Sequence, residues 1–264
     1  MASIGFIGTG NMGSAIIKGL SGSGYAVHGV DADRQKLLDL AQEHGLVPHD
    51  SIRELVDACR YVVLAVKPQQ MEDVLGQVRP VLDGDKRLIS IAAGLPIGRL
   101  REWSDAVCPV IRVMPNTPAL AGKGVTAICL EDEGLDDTDR RVVVDIFSAV
   151  GEVYELAEKD FDAFTALVGS GPAYVFHFME ALMEAGVSLG LPRDQATGMV
   201  LSLLEGTAAM AKQSDLHVSQ LREMVTSPAG TTIEALLHLD RTAVRGHVAD
   251  AVRASFRRSR ELGE

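Results

Sequence analysis

Gly8, Gly10 and Gly13 stand at the spacing Gly-x-Gly-x-x-Gly in "GFIGTGNMGSAI" (5–16), directly behind a short apolar run. That spacing can cradle a pyrophosphate. The first glycine permits a tight turn, the second lets the backbone approach the phosphates, and the third lets the following helix pack closely. The helix N-terminus then offers amide donors and positive potential to an anion. Taken alone the pattern is weak, because a chain with 26 glycines can meet it by chance. Asp31 supplies a second element, an acidic residue about 20 positions on, where a carboxylate would bond a ribose 2′-hydroxyl and repel a 2′-phosphate. It could equally cap the next helix, a role open to Asp33 as well. Arg34 stands beside them and could reach a 2′-phosphate.

Further candidates lie at loop positions. Lys67 in "AVKPQQ" (65–70) could meet a cofactor or a substrate, or be a solvated loop charge. In "VMPNTPAL" (113–120) two prolines fix a loop around Asn116, which could bond a nicotinamide or close an Asx-turn. "TSPAGTTIEALL" (226–237) places Thr231 and Glu234 at capping-box spacing, so a helix is expected to start there. Loop amides and hydroxyls beside that N-terminus would suit a small carboxylate, or serve as an ordinary cap. His177 and Glu180, at i and i+3, lack a third metal ligand, and His177 reads as a packed histidine. No H-E-x-x-H, Cys/His cluster or G-x-S-x-G occurs, so no metal site is expected.

These residues need elements to hold them. The run 3–7, a helix over 11–22, a strand over 25–30 and a helix over 33–44 make a strand–helix–strand unit around the glycines. "YVVLAV" (61–66), "RLISIAA" (87–93), "VCPVIRV" (107–113) and "VTAICL" (125–130) continue the alternation with helix-like segments. Continuous apolar strands of this kind belong to a doubly wound α/β sheet, parallel and covered on both faces. From Asp160 onward the patterning is helical, over 161–189, 193–213, 218–226 and 231–260. The boundary is placed near residue 158, giving a dinucleotide-binding domain over 1–158 and an all-α domain over 159–264.

The helical half is apolar round most of its circumference, and about 100 residues cannot cover such helices alone. Pairing with a second copy is therefore expected. A net charge of −11 argues against nucleic acid or an anionic membrane as partner. The C-terminal arginines (Arg253, Arg257, Arg258, Arg260) read as the solvated face of a last helix. Cys59, Cys108 and Cys129 are scattered and odd in number, as in a reducing compartment. With no leader expected before the first strand, the chain reads as cytoplasmic.

Taken in order, "IGFIGTGNMGSAI", "AVKPQ", "ISIAAG", "MPNTPAL", "GSGPAYVF", "GLPR" and "MVTSPAGTTIEAL" resemble the pyrroline-5-carboxylate reductase family nearly end to end. The resemblance implies a Rossmann-type domain, a helical domain through which subunits dimerise, and in several members rings of five dimers. It implies reduction of the C=N bond of 1-pyrroline-5-carboxylate to L-proline by NAD(P)H. By position it assigns the cofactor to Ile7, Gly8, Thr9, Gly10, Asn11, Met12, Ala65, Val66, Lys67, Pro68, Ala92 and Ala93. The substrate carboxylate falls to the loop 227–232, with Ser227, Gly230 and Thr231, and Thr232 takes the catalytic hydroxyl that bonds the ring nitrogen.

The chain departs from that family's usual S-G-S-G-P at Val168 and from its S-P-G-G at Ala229, without losing a required group. Asp31-Ala32 stands where many relatives have Asn-Arg, which points to NADH over NADPH, with Arg34 as the opposing term. A 3-hydroxyacid dehydrogenase using Lys67 would share the first half but not "SPAGTT". A non-catalytic nucleotide sensor would not need that loop.

Overall fold

In the computed structural model, which describes residues 2–263, the apolar runs of the first half pair into one eight-stranded sheet of order β3-β2-β1-β4-β5-β6-β7-β8. The strands are β1 (Ser3–Ile7), β2 (Ala26–Val30), β3 (Val47–Pro48), β4 (Tyr61–Leu64), β5 (Arg87–Ser90), β6 (Val110–Met114), β7 (Gly124–Cys129) and β8 (Gly151–Glu155). Alternation along β4 sends Tyr61 and Val63 to one face, and Val62 and Leu64 to the other. On the first face they meet α1 (Asn11–Gly19), α2 (Arg34–His44) and α6 (Asp137–Ser148), through Ile16, Leu37 and Ile146. On the second they meet α3 (Ile52–Ala58), α4 (Met71–Val78) and α5 (Ile97–Trp103), through Leu55, Leu75 and Leu100. Both faces of β4 are thus dry, which is why its sequence runs apolar without a break.

Pairing is parallel from β3 across to β6, but β7 lies antiparallel to β6, and β8 runs parallel to β7. The expectation of a uniformly parallel sheet is corrected at that point. Only residues 115–123 connect β6 to β7, fewer than the dozen or more that a parallel crossover needs. The two-residue β3 was not expected, and α1 ends at Gly19 rather than 22.

A polar cluster sits among these apolar layers, at the amino ends of β4 and β5. Asp139 is wholly buried and accepts from Arg60 Nη2 (3.0 Å) and Tyr61 Oη (2.8 Å) on Oδ1, and from Arg87 Nε (2.6 Å) on Oδ2. Burial pushes its carboxyl pKa up, but the bonds from Arg87, Tyr61 and Arg60 outweigh it and hold the group below the ordinary aspartate value.

The remaining helices are α7 (Phe161–Phe164), α8 (Gly171–Ser188), α9 (Arg193–Gln213), α10 (Val218–Met224), α11 (Thr231–Arg241) and α12 (Val244–Gly263). A π-turn over Thr165–Gly169 interrupts the apolar run 161–189, and Ala243, at φ +52°, divides 231–260 in two. The chain forms two compact units. The first runs through Ser170 and takes the chain back from Ser255; the second is Gly171–Ala254. The spatial division therefore falls after 158, because Phe161, Phe164 and Ala166 are buried, the two phenylalanines in the core with Leu64 and Ala92.

In the second unit α8 buries none of its residues within the single chain. Phe176, Phe178, Met199, Leu201 and Leu203 stand open, Phe176 at 63% exposure. Burying such surface is worth roughly 25 cal/mol per Å², so a second copy gains much by covering it. Light scattering should therefore give a dimer or a multiple of one; a folded, active monomer at micromolar concentration would overturn this.

Candidate active site

β1 and β4 are neighbours at the point where strand order reverses, and their carboxyl ends open a crevice there. The cleft measures about 340 Å³ and brings together Ile7, Gly8, Gly10, Asp31, Ala65, Val66 and Lys67. Gly8 turns the chain at φ +95°, and a Cβ there would meet the Ala65 carbonyl oxygen at 2.8 Å. Gly13 lets α1 approach, since a Cβ would lie 2.6 Å from the Gly8 carbonyl oxygen. Around Gly10 no atom lies within 4 Å of where a Cβ would stand. Gly10 is also the residue that caps the start of α1. Its open face beside free helix amides fits the phosphates of a dinucleotide.

Thr9 does something the sequence did not announce. Its side chain is fully buried and turned to Asp31, whose Oδ2 receives both the Thr9 backbone N–H and, at 2.9 Å, the Thr9 Oγ1 hydroxyl. Asp31 Oδ1 accepts the Asp33 N–H at 2.9 Å. The cap of α2 is Asp33, which receives the Lys36 N–H, so the capping alternative for Asp31 falls away. Burial pushes the Asp31 pKa up, yet the bonds from Asp33 and Thr9 leave it below the usual carboxylate value. Arg34 is turned to Asp50, Nη1 to Oδ1 at 2.6 Å, with both side chains largely exposed.

The other assigned cofactor residues lie on the same edge of the sheet. Asn11 and Met12 open α1, Pro68 begins a short 3-10 turn after β4, and Ala92, buried, precedes exposed Ala93 beyond β5. Ile52 and Val74 also line the cleft, and only the packing of α3 and α4 brings them there. Asn116 closes no Asx-turn. It is buried, donates from Nδ2 to the Val168 carbonyl (3.2 Å) and accepts the Val125 N–H on Oδ1 (2.9 Å), clamping two segments together.

The loop 227–232 belongs to the second unit and joins α10 to α11. A turn closes from the Gly230 N–H to the Ser227 carbonyl (3.1 Å), with Ala229 in the left-handed region at φ +55°. An alanine there costs about 1–2 kcal/mol that a glycine would not. α11 starts at Thr231 as expected, but the capping box does not form. Gly230 is the cap residue and makes no side-chain bond, which shifts Glu234 one place too far along the helix. The first amides of α11 stand beside Ser227, Thr231 and Thr232, an arrangement able to receive a carboxylate. Among the described residues no three His, Cys, Asp or Glu side chains are placed to hold a metal, and no helix is long and apolar enough to cross a membrane.

Comparison with known proteins matches the two parts of the chain separately. Residues 158–262 match the family model for pyrroline-5-carboxylate reductase dimerisation, and residues 3–94 match NADP oxidoreductase, coenzyme F420-dependent. The reductase of Pisum sativum is 40% identical over 98% of this chain and 95% of its own. The solved pyrroline-5-carboxylate reductase of Coxiella burnetii is 33% identical, covers 100% of this chain and 99% of its own, and superposes with a TM-score of 0.93. The pyrroline carboxylate reductase of Plasmodium falciparum, solved with NADP bound, is 36% identical, covers 100% of this chain and 98% of its own, and superposes with a TM-score of 0.87. By identity sustained over its whole length, the chain belongs to the pyrroline-5-carboxylate reductase family.

Proposed function

We infer that this protein is an oxidoreductase that reduces 1-pyrroline-5-carboxylate to L-proline with NAD(P)H, the last step of proline biosynthesis. The observation that carries the reading is a dinucleotide-type cleft and a Ser-Pro-Ala-Gly-Thr-Thr loop in one chain alike throughout to those reductases. Ile7 through Met12, Ala65 through Pro68, and Ala92 with Ala93 hold the cofactor in this reading. When bound, the reduced nicotinamide supplies the hydride. Ser227, Gly230 and Thr231 hold the substrate carboxylate at the start of α11, where exposed amides favour an anion. Thr232 donates its hydroxyl to the ring nitrogen. An iminium carbon accepts hydride readily, so the residues chiefly orient it, an effect worth up to about 7–11 kcal/mol in ideal cases. Oxidation of the cofactor with the imine, and none without it, is the result expected; no imine-dependent oxidation would sink the reading.

The finer preference is NADH over NADPH. It is supported by Asp31 on the cleft wall, since a 2′-phosphate would bring about two negative charges toward a carboxylate. At 4 Å and an effective dielectric near 20 each unit pair is worth about 4 kcal/mol, and a quarter of that is a bias of roughly five- to tenfold. Arg34 opposes it. Its exposed pair with Asp50 is worth no more than about 1 kcal/mol, a weak tether. Asp31→Asn should lower the ratio of kcat/KM for NADH to that for NADPH by about that factor. A parent that favours NADPH, or a ratio the substitution leaves alone, overturns the preference. A decamer of five dimers rests on the resemblance, and a cytoplasmic setting on three buried, unpaired thiols.

A further inference from the structure

We propose that Thr9 is a positioning residue for cofactor choice, holding the Asp31 carboxylate so that a single oxygen faces the cleft and the group cannot turn aside. The proposal rests on the reading that Asp31 meets the adenosine ribose. A carboxylate offers about four acceptor positions. Both Thr9 donors converge on Oδ2 and the Asp33 N–H takes one position on Oδ1, which leaves one position, on Oδ1. Asp31 therefore cannot receive both ribose hydroxyls in this geometry. Its discrimination comes down to charge and at most one ribose hydrogen bond.

Charge discriminates only if the carboxylate stays charged and stays in place. A free aspartate has two side-chain torsions by which to swing away from an incoming phosphate. Thr9 removes that freedom, and is itself fixed: it is fully buried, and its carbonyl accepts the Ser14 Oγ hydroxyl at 2.6 Å. The same bonds keep Asp31 ionised, with its pKa below the ordinary value despite burial. A serine keeps the hydroxyl, and a valine keeps the branched shape without it.

The test measures kcat and KM for NADH and NADPH at saturating imine in the parent, Thr9→Val, Thr9→Ser, Asp31→Asn and the Thr9→Val/Asp31→Asn double variant. Dissociation constants for NAD+ and NADP+ by calorimetry, and melting temperatures, accompany them. Thr9→Val should lower the NADH-to-NADPH ratio three- to tenfold, with the change carried by KM and by the dissociation constants. Thr9→Ser should stay within twofold of the parent. In the double variant the ratio should equal that of Asp31→Asn alone, because the Thr9 hydroxyl acts on the choice between the two cofactors through that carboxylate. A ratio that moves in Asp31→Asn but not in Thr9→Val overturns the role of Thr9 and leaves that of Asp31. A ratio that moves in neither removes the reading beneath both. Should Thr9→Val not fold, Thr9→Ala takes its place under the same expectations. Loss of preference in Thr9→Ser as well would overturn the proposal, since shape and not the hydroxyl would then matter.

Discussion

Thr232→Ala should lower kcat/KM for the imine ten- to a thousand-fold while leaving the affinity for cofactor alone as it is. Thr232 is the second residue of α11, behind the Gly230 cap and partly buried. A hydroxyl that donates to the ring nitrogen acts on the atom whose electron density changes as the C=N bond is reduced. Removing one such preorganised donor costs on the order of 1–4 kcal/mol of transition-state stabilisation. Kinetics should show the loss mainly in kcat, because in the proposed reading the carboxylate still has Ser227 and the α11 amides. Thr232→Ser, which keeps the donor, should recover most of it. An unaltered kcat/KM in Thr232→Ala would remove the residue from the mechanism.

Asp139→Asn should destabilise the protein by about 3–5 kcal/mol, the usual penalty for stranding one side of a buried ion pair. Arg87 is then left with a neutral partner in a site where only 9% of its side chain reaches solvent. Thermal melting should fall by roughly 6–20 °C. Activity per folded molecule should hold, since the cluster lies at the amino ends of β4 and β5 and the cleft at their carboxyl ends. The pH dependence has a definite sign. A carboxyl whose folded pKa lies below its unfolded one contributes fully above the unfolded value, near 4, and loses that contribution as pH falls through the folded value. The gap between parent and variant should therefore be widest near neutral pH and shrink toward pH 3. A gap that widens on acidification, or a variant as stable as the parent at pH 7, would contradict this account.

How much of this was legible in the residues differs from element to element. The β1–α1–β2 unit was, because Gly8, Gly13 and the apolar runs each answer a local steric demand. β7 could have been oriented from the short link 115–123, a matter of chain reach. The two residues of β3 could not, since a strand that short has no period. The break at Thr242 and Ala243 carries neither glycine nor proline, so its left-handed turn leaves no local mark. Thr231 and Glu234 had the spacing of a capping box, but Gly230 takes the cap and displaces both by one. The Thr9–Asp31 bonds span 22 positions and depend on β1 and β2 lying side by side. Of the candidate site, the cleft could be read from the glycine spacing, but the tether that aims its acidic residue could not.

The return of the chain to its first unit has a consequence for synthesis on the ribosome. Ser255 meets Ser170 Oγ to Oγ at 3.1 Å, and Ser259 donates to Asp162 at 2.7 Å. Both contacts tie α12 back to the first unit, whose sheet has long since emerged. Their sequence separations are 85 and 97 residues, which at about 5–20 residues per second amounts to some 4–20 s of elongation. Throughout that interval the nascent sheet is complete in its strands but lacks its last strap. Synthesis of α12, rather than of the last strand, sets when the first unit is finished.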